Sequence, residues 1–144
     1  MKATSIARVR EFNRFYTRIL GLLDKGILQS PFTLPEARVL YELNHLQPCS
    51  AREVALAIGM DKGYLSRILK SFARRGFVAT YASQTDARVS QLTLTAKGMQ
   101  EFNKINMASV NQIRQLFSAL SETKIEATLA HMQAIKDILQ SIPS

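Results

Sequence analysis

The chain has 144 residues, 47% of them hydrophobic, one cysteine and a formal net charge of +8. This length and apolar content exclude a disordered chain and fit one compact unit, or a reading lobe joined to an assembly lobe. The charge points to an anionic partner, nucleic acid or a membrane surface; a single cysteine excludes an intrachain disulfide and fits a reducing compartment. No run reaches the roughly 18 apolar residues of a membrane span, and the N-terminus lacks the apolar core of a secretion signal, so no membrane partner and a cytoplasmic location are expected.

The first predicted element is a helix over residues 4–29, where Ile6, Val9, Phe12, Tyr16, Ile19 and Leu23 recur every three or four positions. Phe15, Leu20 and Leu22 widen that stripe, and Ser30-Pro31 breaks it. Pro35 suits a first helical position, and Glu36 to Leu46 continues as helix with Ala37, Leu40, Tyr41 and Leu43 facing inward until Gln47-Pro48. Ser50-x-x-Glu53 has the spacing of a capping box, opening a short helix with Val54, Ala55 and Ile58 on its apolar face and Gly59 at its end. The next helix runs from about Asp61 to Arg75, buries Leu65, Ile68, Leu69 and Phe72, and stops at Gly76. Phe77–Tyr81 and Val89–Leu94 read as strands joined by the polar segment 82–88. Thr95 caps a long helix to about Leu120, with Met99, Phe102, Ile105, Val110, Ile113 and Phe117 inward. Ser121 starts a last helix to about Ile142 with Ile125, Leu129, Met132 and Leu139 inward. The fold class is therefore mainly α with a small β-hairpin wing.

Charge is unevenly placed along these elements. Residues 50–98 hold eight Lys/Arg against three acids and residues 1–30 hold six against two, whereas residues 99–144 balance. Once Leu65, Ile68, Leu69 and Phe72 point to a core, helical geometry turns Lys62, Gly63, Tyr64, Ser66, Arg67, Lys70, Ser71 and Arg74 outward. A face of donors, small residues and one amphipathic aromatic suits the major groove of duplex DNA, where Lys and Arg meet guanine acceptors. An ordinary solvated face is the plain alternative for a lone basic helix; the capped helix before it and the hairpin after it favour a reader. Gly63 costs roughly 1 kcal/mol against Ala in a helix, which close approach of a DNA backbone would explain. Ser50 and Arg52, at the start of the preceding helix, complete the DNA-facing set. At the hairpin tip Arg88 suits a narrow minor groove, with the Asp86 carboxylate holding its guanidinium; a surface salt bridge of little worth is the plain alternative.

Glu36-Ala37-Arg38-Val39-Leu40, Tyr64-Leu65-Ser66-Arg67, Arg74-Arg75-Gly76 and Asp86-x-Arg88…Leu92-Thr93-Leu94-Thr95-x-x-Gly98 together resemble the MarR family of winged helix-turn-helix regulators. The resemblance covers nearly the whole chain, and the wing pattern is its most specific part. It implies a winged DNA-binding lobe over residues 31–98 and a helical dimerisation lobe from 1–30 and 99–144. It further implies a homodimer on a pseudo-palindromic double-stranded operator, and a ligand-responsive repressor as the usual outcome. By the family motif Lys62, Tyr64, Ser66, Arg67 and Lys70 take the recognition-helix role, and Asp86 and Arg88 the wing role. The tip has Ala87 where many members carry Gly or Arg. Ile6, Val9, Ile113, Phe117, Ile125, Leu129, Met132 and Leu139 are the expected dimerisation residues, since an amphipathic helix must bury its stripe against something. A finer resemblance, in residues 9–18 and 61–69, is to the regulatory half of MarR–acetyltransferase fusions. The alternative function is thus the N-terminal regulatory domain of a bifunctional regulator/N-acetyltransferase whose catalytic domain is absent from this chain.

Other residues carry weaker signals. Cys49 precedes a helix N-terminus, a position that can lower a thiol's pKa and make a redox sensor, yet a small residue in a tight connection is the simpler reading. His45 and His131 lack neighbours at metal-ligand spacing, and no nucleophile–base or paired-carboxylate pattern stands out. No metal, no cofactor and no catalysis are expected. Phe12, Phe15, Tyr16, Phe32 and Tyr41 form a candidate pocket for a small-molecule effector; core packing explains them equally well.

Overall fold

The computed structural model describes residues 1–21 and 26–142. Its helices are α1 (Ala3–Ile19), α2 (Leu34–Leu46), α3 (Ala51–Ile58), α4 (Lys62–Arg74), α5 (Ala96–Phe117) and α6 (Glu122–Gln140); a 3-10 turn spans Ile27–Gln29, and strands β1 (Val78–Ala82) and β2 (Ser90–Leu94) lie between α4 and α5. Two compact units divide the chain, Met1–Ala108 and Ser109–Ser144. Among the described residues no helix is long and apolar enough to cross a membrane.

The first unit owes its core to α2, α3, α4 and the hairpin. Leu40, Leu43, Val54, Leu65, Ile68, Phe72, Val78, Leu92 and Leu94 are buried together with Phe32 and Phe102. Helices α3 and α4 are both set by caps. The Ser50 hydroxyl accepts from the Glu53 amide while the Glu53 carboxylate accepts from the Ser50 amide, as the spacing predicts, and Asp61 accepts from the Tyr64 amide to start α4. Gly59 and Gly76, at φ 72° and 76°, end α3 and α4 as expected. The strands pair antiparallel with Val78 opposite Leu94 and Thr80 opposite Leu92. The two-residue period of a strand puts Val78, Leu92 and Leu94 on the core face. The backbone of Cys49 adds a short third rung through two hydrogen bonds to Leu92, a pairing without a signal in the sequence.

Several expectations are corrected. The first helix ends at Ile19, not near residue 29, because Gly21 takes the left-handed conformation that closes a helix, and its amide bonds back to the Arg18 carbonyl. Leu28 and Gln29 are themselves left-handed, which a continuing right-handed helix does not accommodate. Leu22 and Leu23, also assigned to that stripe, lie outside the described residues. Helix α2 begins at Leu34 under a second capping box, Thr33 with Glu36, so Pro35 follows the first helical residue. Its buried residues include Val39, and Tyr41 is exposed instead of inward. Neither α1 nor α6 buries any residue within the single chain, and on α5 only Gly98 and Phe102 are buried. On α5 the N-terminal part of the stripe is inward as expected, with Phe102 buried and Met99 and Ile105 packed against the core, whereas Val110 and Ile113 and the stripes of α1 and α6 are not buried in one copy.

The start of α5 is fixed on the hairpin by close approach. The Thr95 hydroxyl accepts from the Gly98 amide, and the Thr95 amide donates to the Phe77 carbonyl. A Cβ at position 98 would stand 2.1 Å from that same Phe77 oxygen and 3.0 Å from its carbonyl carbon. These are backbone atoms already held by a hydrogen bond, so they can yield only if the α5–wing joint opens. Gly98→Ala is therefore expected to cost about 1–3 kcal/mol of stability, the range for overpacking. Urea denaturation measures it; a loss under about 0.5 kcal/mol, the scale of an ordinary surface substitution, would show the joint to be soft.

Candidate nucleic-acid interface

Helix α4 turns its apolar stripe inward and leaves Lys62, Gly63, Tyr64, Ser66, Arg67, Lys70 and Arg74 exposed, as its periodicity predicts. Ser71 is half-buried. Among the described residues no acidic side chain pairs with any cation of this face; the ion pairs present are Arg38–Glu42, Arg75–Glu36 and Lys104–Glu101. The face therefore keeps its donors. Arg52 of α3 joins Lys62, Ser66 and Lys70 around an open groove of about 380 Å3. Its apolar floor includes Leu65, Leu69, Val78 and Leu92, and Thr80 of β1 stands at its edge. Thr80 carries no pattern in the sequence; only strand pairing places its hydroxyl beside the reader.

Two candidate DNA contacts have local duties. The Ser50 hydroxyl lies 2.8 Å from the Glu53 carboxylate as well as capping the helix. The Ser50 amide and hydroxyl together hold the Glu53 carboxyl below the usual carboxylate range, because they bond its ionised form. Gly63 has a reason inside its own helix: a Cβ there would come 3.1 Å from the Asp61 carboxylate that caps α4.

The wing tip departs from expectation. Asp86 accepts from the Arg88 backbone amide at 3.0 Å, and its own carbonyl accepts from the Val89 amide. The carboxylate thus shapes the turn and does not clamp the Arg88 guanidinium, because a short side chain reaches the amide two residues on more readily than a distant charged tip. Arg88 is exposed at the tip, with no acidic partner among the described residues.

Arg75, next to Arg74, turns inward over aromatic rings. Its guanidinium lies 4.7 Å from the ring centres of both Phe32 and Phe77 and 3.3 Å from Glu36. This also corrects the effector-pocket set. Phe32 is 1% exposed and belongs to the core beneath Arg75. Phe12 stacks on Tyr16 at 5.6 Å, Phe15 is exposed on the same helix, and Tyr41 stacks instead on His45 at 4.0 Å. Phe12 with Tyr16, Phe32 and Tyr41 thus pack in three separate groups, with Phe15 exposed beside the first.

Cys49 follows the simpler of its two readings, a small residue in a tight connection. Burial, with the Glu53 charge as a smaller contribution, pushes its thiol up to about 11, so the helix terminus does not activate it. Its thiolate fraction at pH 7–8 is small and its sulfur is covered. Native protein at pH 8 should react with iodoacetamide far more slowly than urea-unfolded protein, with the native rate rising as pH approaches 11. A native rate at pH 8 equal to the unfolded one would restore the reactive-thiol reading.

With this geometry in hand, comparisons with known proteins are informative. Residues 30–89 match the family model described as the MarR family. The HTH-type transcriptional regulator BilQ of Clostridium symbiosum is 30% identical over 87 residues, covering 60% of this chain and 60% of that protein. The transcriptional repressor MprA of Escherichia coli is 29% identical over 103 residues, covering 72% of this chain and 57% of that one. The chain thus matches less than two thirds of the length of either relative. The crystal structure of Streptococcus pneumoniae FabT in complex with DNA superposes with a TM-score of 0.82 at 17% identity, covering 96% of this chain and 99% of that one, and shows the same winged fold.

Proposed function

We propose that the chain is a member of the MarR family, whose model matches residues 30–89, and that it is a sequence-specific double-stranded DNA-binding regulator that works as a homodimer, most simply as a repressor in the cytoplasm. The observation that carries this reading is the α4 face, whose Lys62, Arg67, Lys70 and Arg74 are exposed with no carboxylate neutralising them among the described residues. Such a row of free cations is costly in self-repulsion unless an anion meets it, and phosphate neutralisation with counterion release supplies the binding energy. On this reading Ser66 and Arg67, with Tyr64 beside them, meet base edges, Arg52 and Lys62 hold a strand, and Arg88 enters the minor groove.

A single copy is half of such a reader. The residues assigned to assembly are largely uncovered in one chain, with Val9 at 53%, Ile113 at 45%, Leu129 at 49% and Leu139 at 59% exposure; Ile6 and Met132 are exposed too, and Phe117 and Ile125 are half-buried. Apolar stripes on α1, α5 and α6 of this extent need a partner, and a second copy supplies the same stripes by symmetry. Two α4 helices about 34 Å apart would then read a pseudo-palindrome. A small-molecule effector would act by favouring a different spacing of the two readers; Phe12, Phe15 and Tyr16 on α1 are the remaining candidates for its contacts.

Arg88→Ala should weaken binding to DNA fragments selected by the wild-type chain by roughly 1–3 kcal/mol while leaving the dimer intact, the scale of one lost specific contact. Unchanged affinity by titration would remove the wing from the interface. Leu129→Asp should turn the dimer into monomer, because association would bury an unpaired charge. Sedimentation reads the outcome, and a variant that remains dimeric would place the subunit contact elsewhere.

A further inference from the structure

Among the described residues four cations sit over aromatic rings, and one differs from the rest. Arg38 lies 5.5 Å from the Tyr41 ring centre but is paired with Glu42. Arg75 lies over Phe32 and Phe77 but is paired with Glu36, and Lys97 lies 5.3 Å from Phe77 but donates to the Arg75 carbonyl. Arg67 lies 5.5 Å from the Tyr64 ring centre and has no acceptor among the described residues. Both residues are exposed on the outer face of α4, one turn apart.

We infer that Tyr64 is a positioning residue: its ring is the platform that aims the Arg67 guanidinium, making Arg67 the guanine-reading residue of this helix. The inference rests on the DNA-reading function proposed above. A guanidinium held by a carboxylate surrenders N–H edges to it. A guanidinium lying on a ring face is restrained through its plane and keeps its donor edges free. Helical side chains lean toward the N-terminus, so Arg67 leans onto residue 64, and a tyrosine ring has few torsions to lose in supporting it. The guanidinium fork matches the O6 and N7 acceptors that guanine alone presents together in the major groove. Lys62 and Lys70, flanking the pair, have the compact, freely turning charge suited to phosphates. The division of labour is one oriented reader between two cations that grip the backbone.

The test uses the whole chain and duplexes selected from a random library by the wild-type protein, with affinity then measured for all four base pairs at each position. Arg67→Ala should flatten the preference at one G·C pair by about tenfold. Tyr64→Leu should weaken the preference at that same pair by roughly two- to fivefold, the scale of an exposed cation–ring contact, and should change nothing further when added to Arg67→Ala. Tyr64→Phe, which keeps the platform, should restore the preference. Three results overturn the inference: Tyr64→Leu behaving as wild type at that pair, Tyr64→Leu altering a different pair, or Tyr64→Phe failing as Tyr64→Leu does. Failure of the wild-type chain to select any sequence is a separate result, which overturns the DNA-reading proposal and this one with it.

Discussion

The seat of Arg75 is the constraint on which the rest of the first unit depends. One guanidinium packs on Phe32 ahead of α2, on Phe77 at the root of the wing and, at 5.9 Å, on Phe72 of α4, while reaching Glu36 in the first turn of α2. Glu36 serves twice, since one carboxylate oxygen closes the Thr33 capping box and the other receives Arg75. The Arg75 carbonyl, at the C-terminal end of α4, accepts from Lys97 of α5. A cation over aromatic rings in a half-covered site is worth more than an exposed pair because water competes less there. The consequence is angular: the last turn of the reader helix, the first strand of the wing and the first turn of α5 meet at one residue, so reader and wing are fixed relative to each other.

Around that joint the remaining contacts act as spacers. Gln47 at the end of α2 donates toward Met99 and accepts from the Leu94 amide, linking α2 to the far strand of the hairpin. Cys49 pairs with Leu92 through the backbone, and Gly98 lets α5 approach the Phe77 carbonyl. None of these groups faces the proposed DNA. They determine the distance between the α4 face and Arg88, which decides whether two grooves can be engaged together. In this arrangement the polar contacts gather where the α4 helix is mounted, while its outer cations make no ion pair among the described residues.

Much of this was legible in the sequence, and the failures have definite causes. The stripe Leu65, Ile68, Leu69, Phe72 was strictly helical in period, so its outward complement followed by geometry alone. The Ser50–Glu53 box and the glycines after α3 and α4 were local signals, readable without tertiary structure. What failed was whatever depends on a competing local bond or on a distant partner. Asp86 chose the near amide of Arg88 over its guanidinium. The first helix stopped at Gly21 although its apolar period ran on, because a left-handed glycine closes a helix whatever follows it. The seat of Arg75 carried no local signal, since nothing in the sequence around it says that Phe32, some forty positions earlier, lies under it. Phe32 was misread with the effector aromatics for the same reason. The stripes of α1 and α6 were correctly seen as apolar, but a single chain provides nothing to cover them.

The account rests on one chain being half of a two-fold reader whose α4 helices and wings act together. Hydroxyl-radical footprinting of the wild-type protein on its selected duplex tests this most directly, because it maps the protected backbone on both strands at single-nucleotide resolution. The account predicts two symmetry-related protected segments with centres about one helical turn apart, each flanked outward by minor-groove protection from Arg88. A single asymmetric footprint, or protection without any two-fold relation, would contradict it.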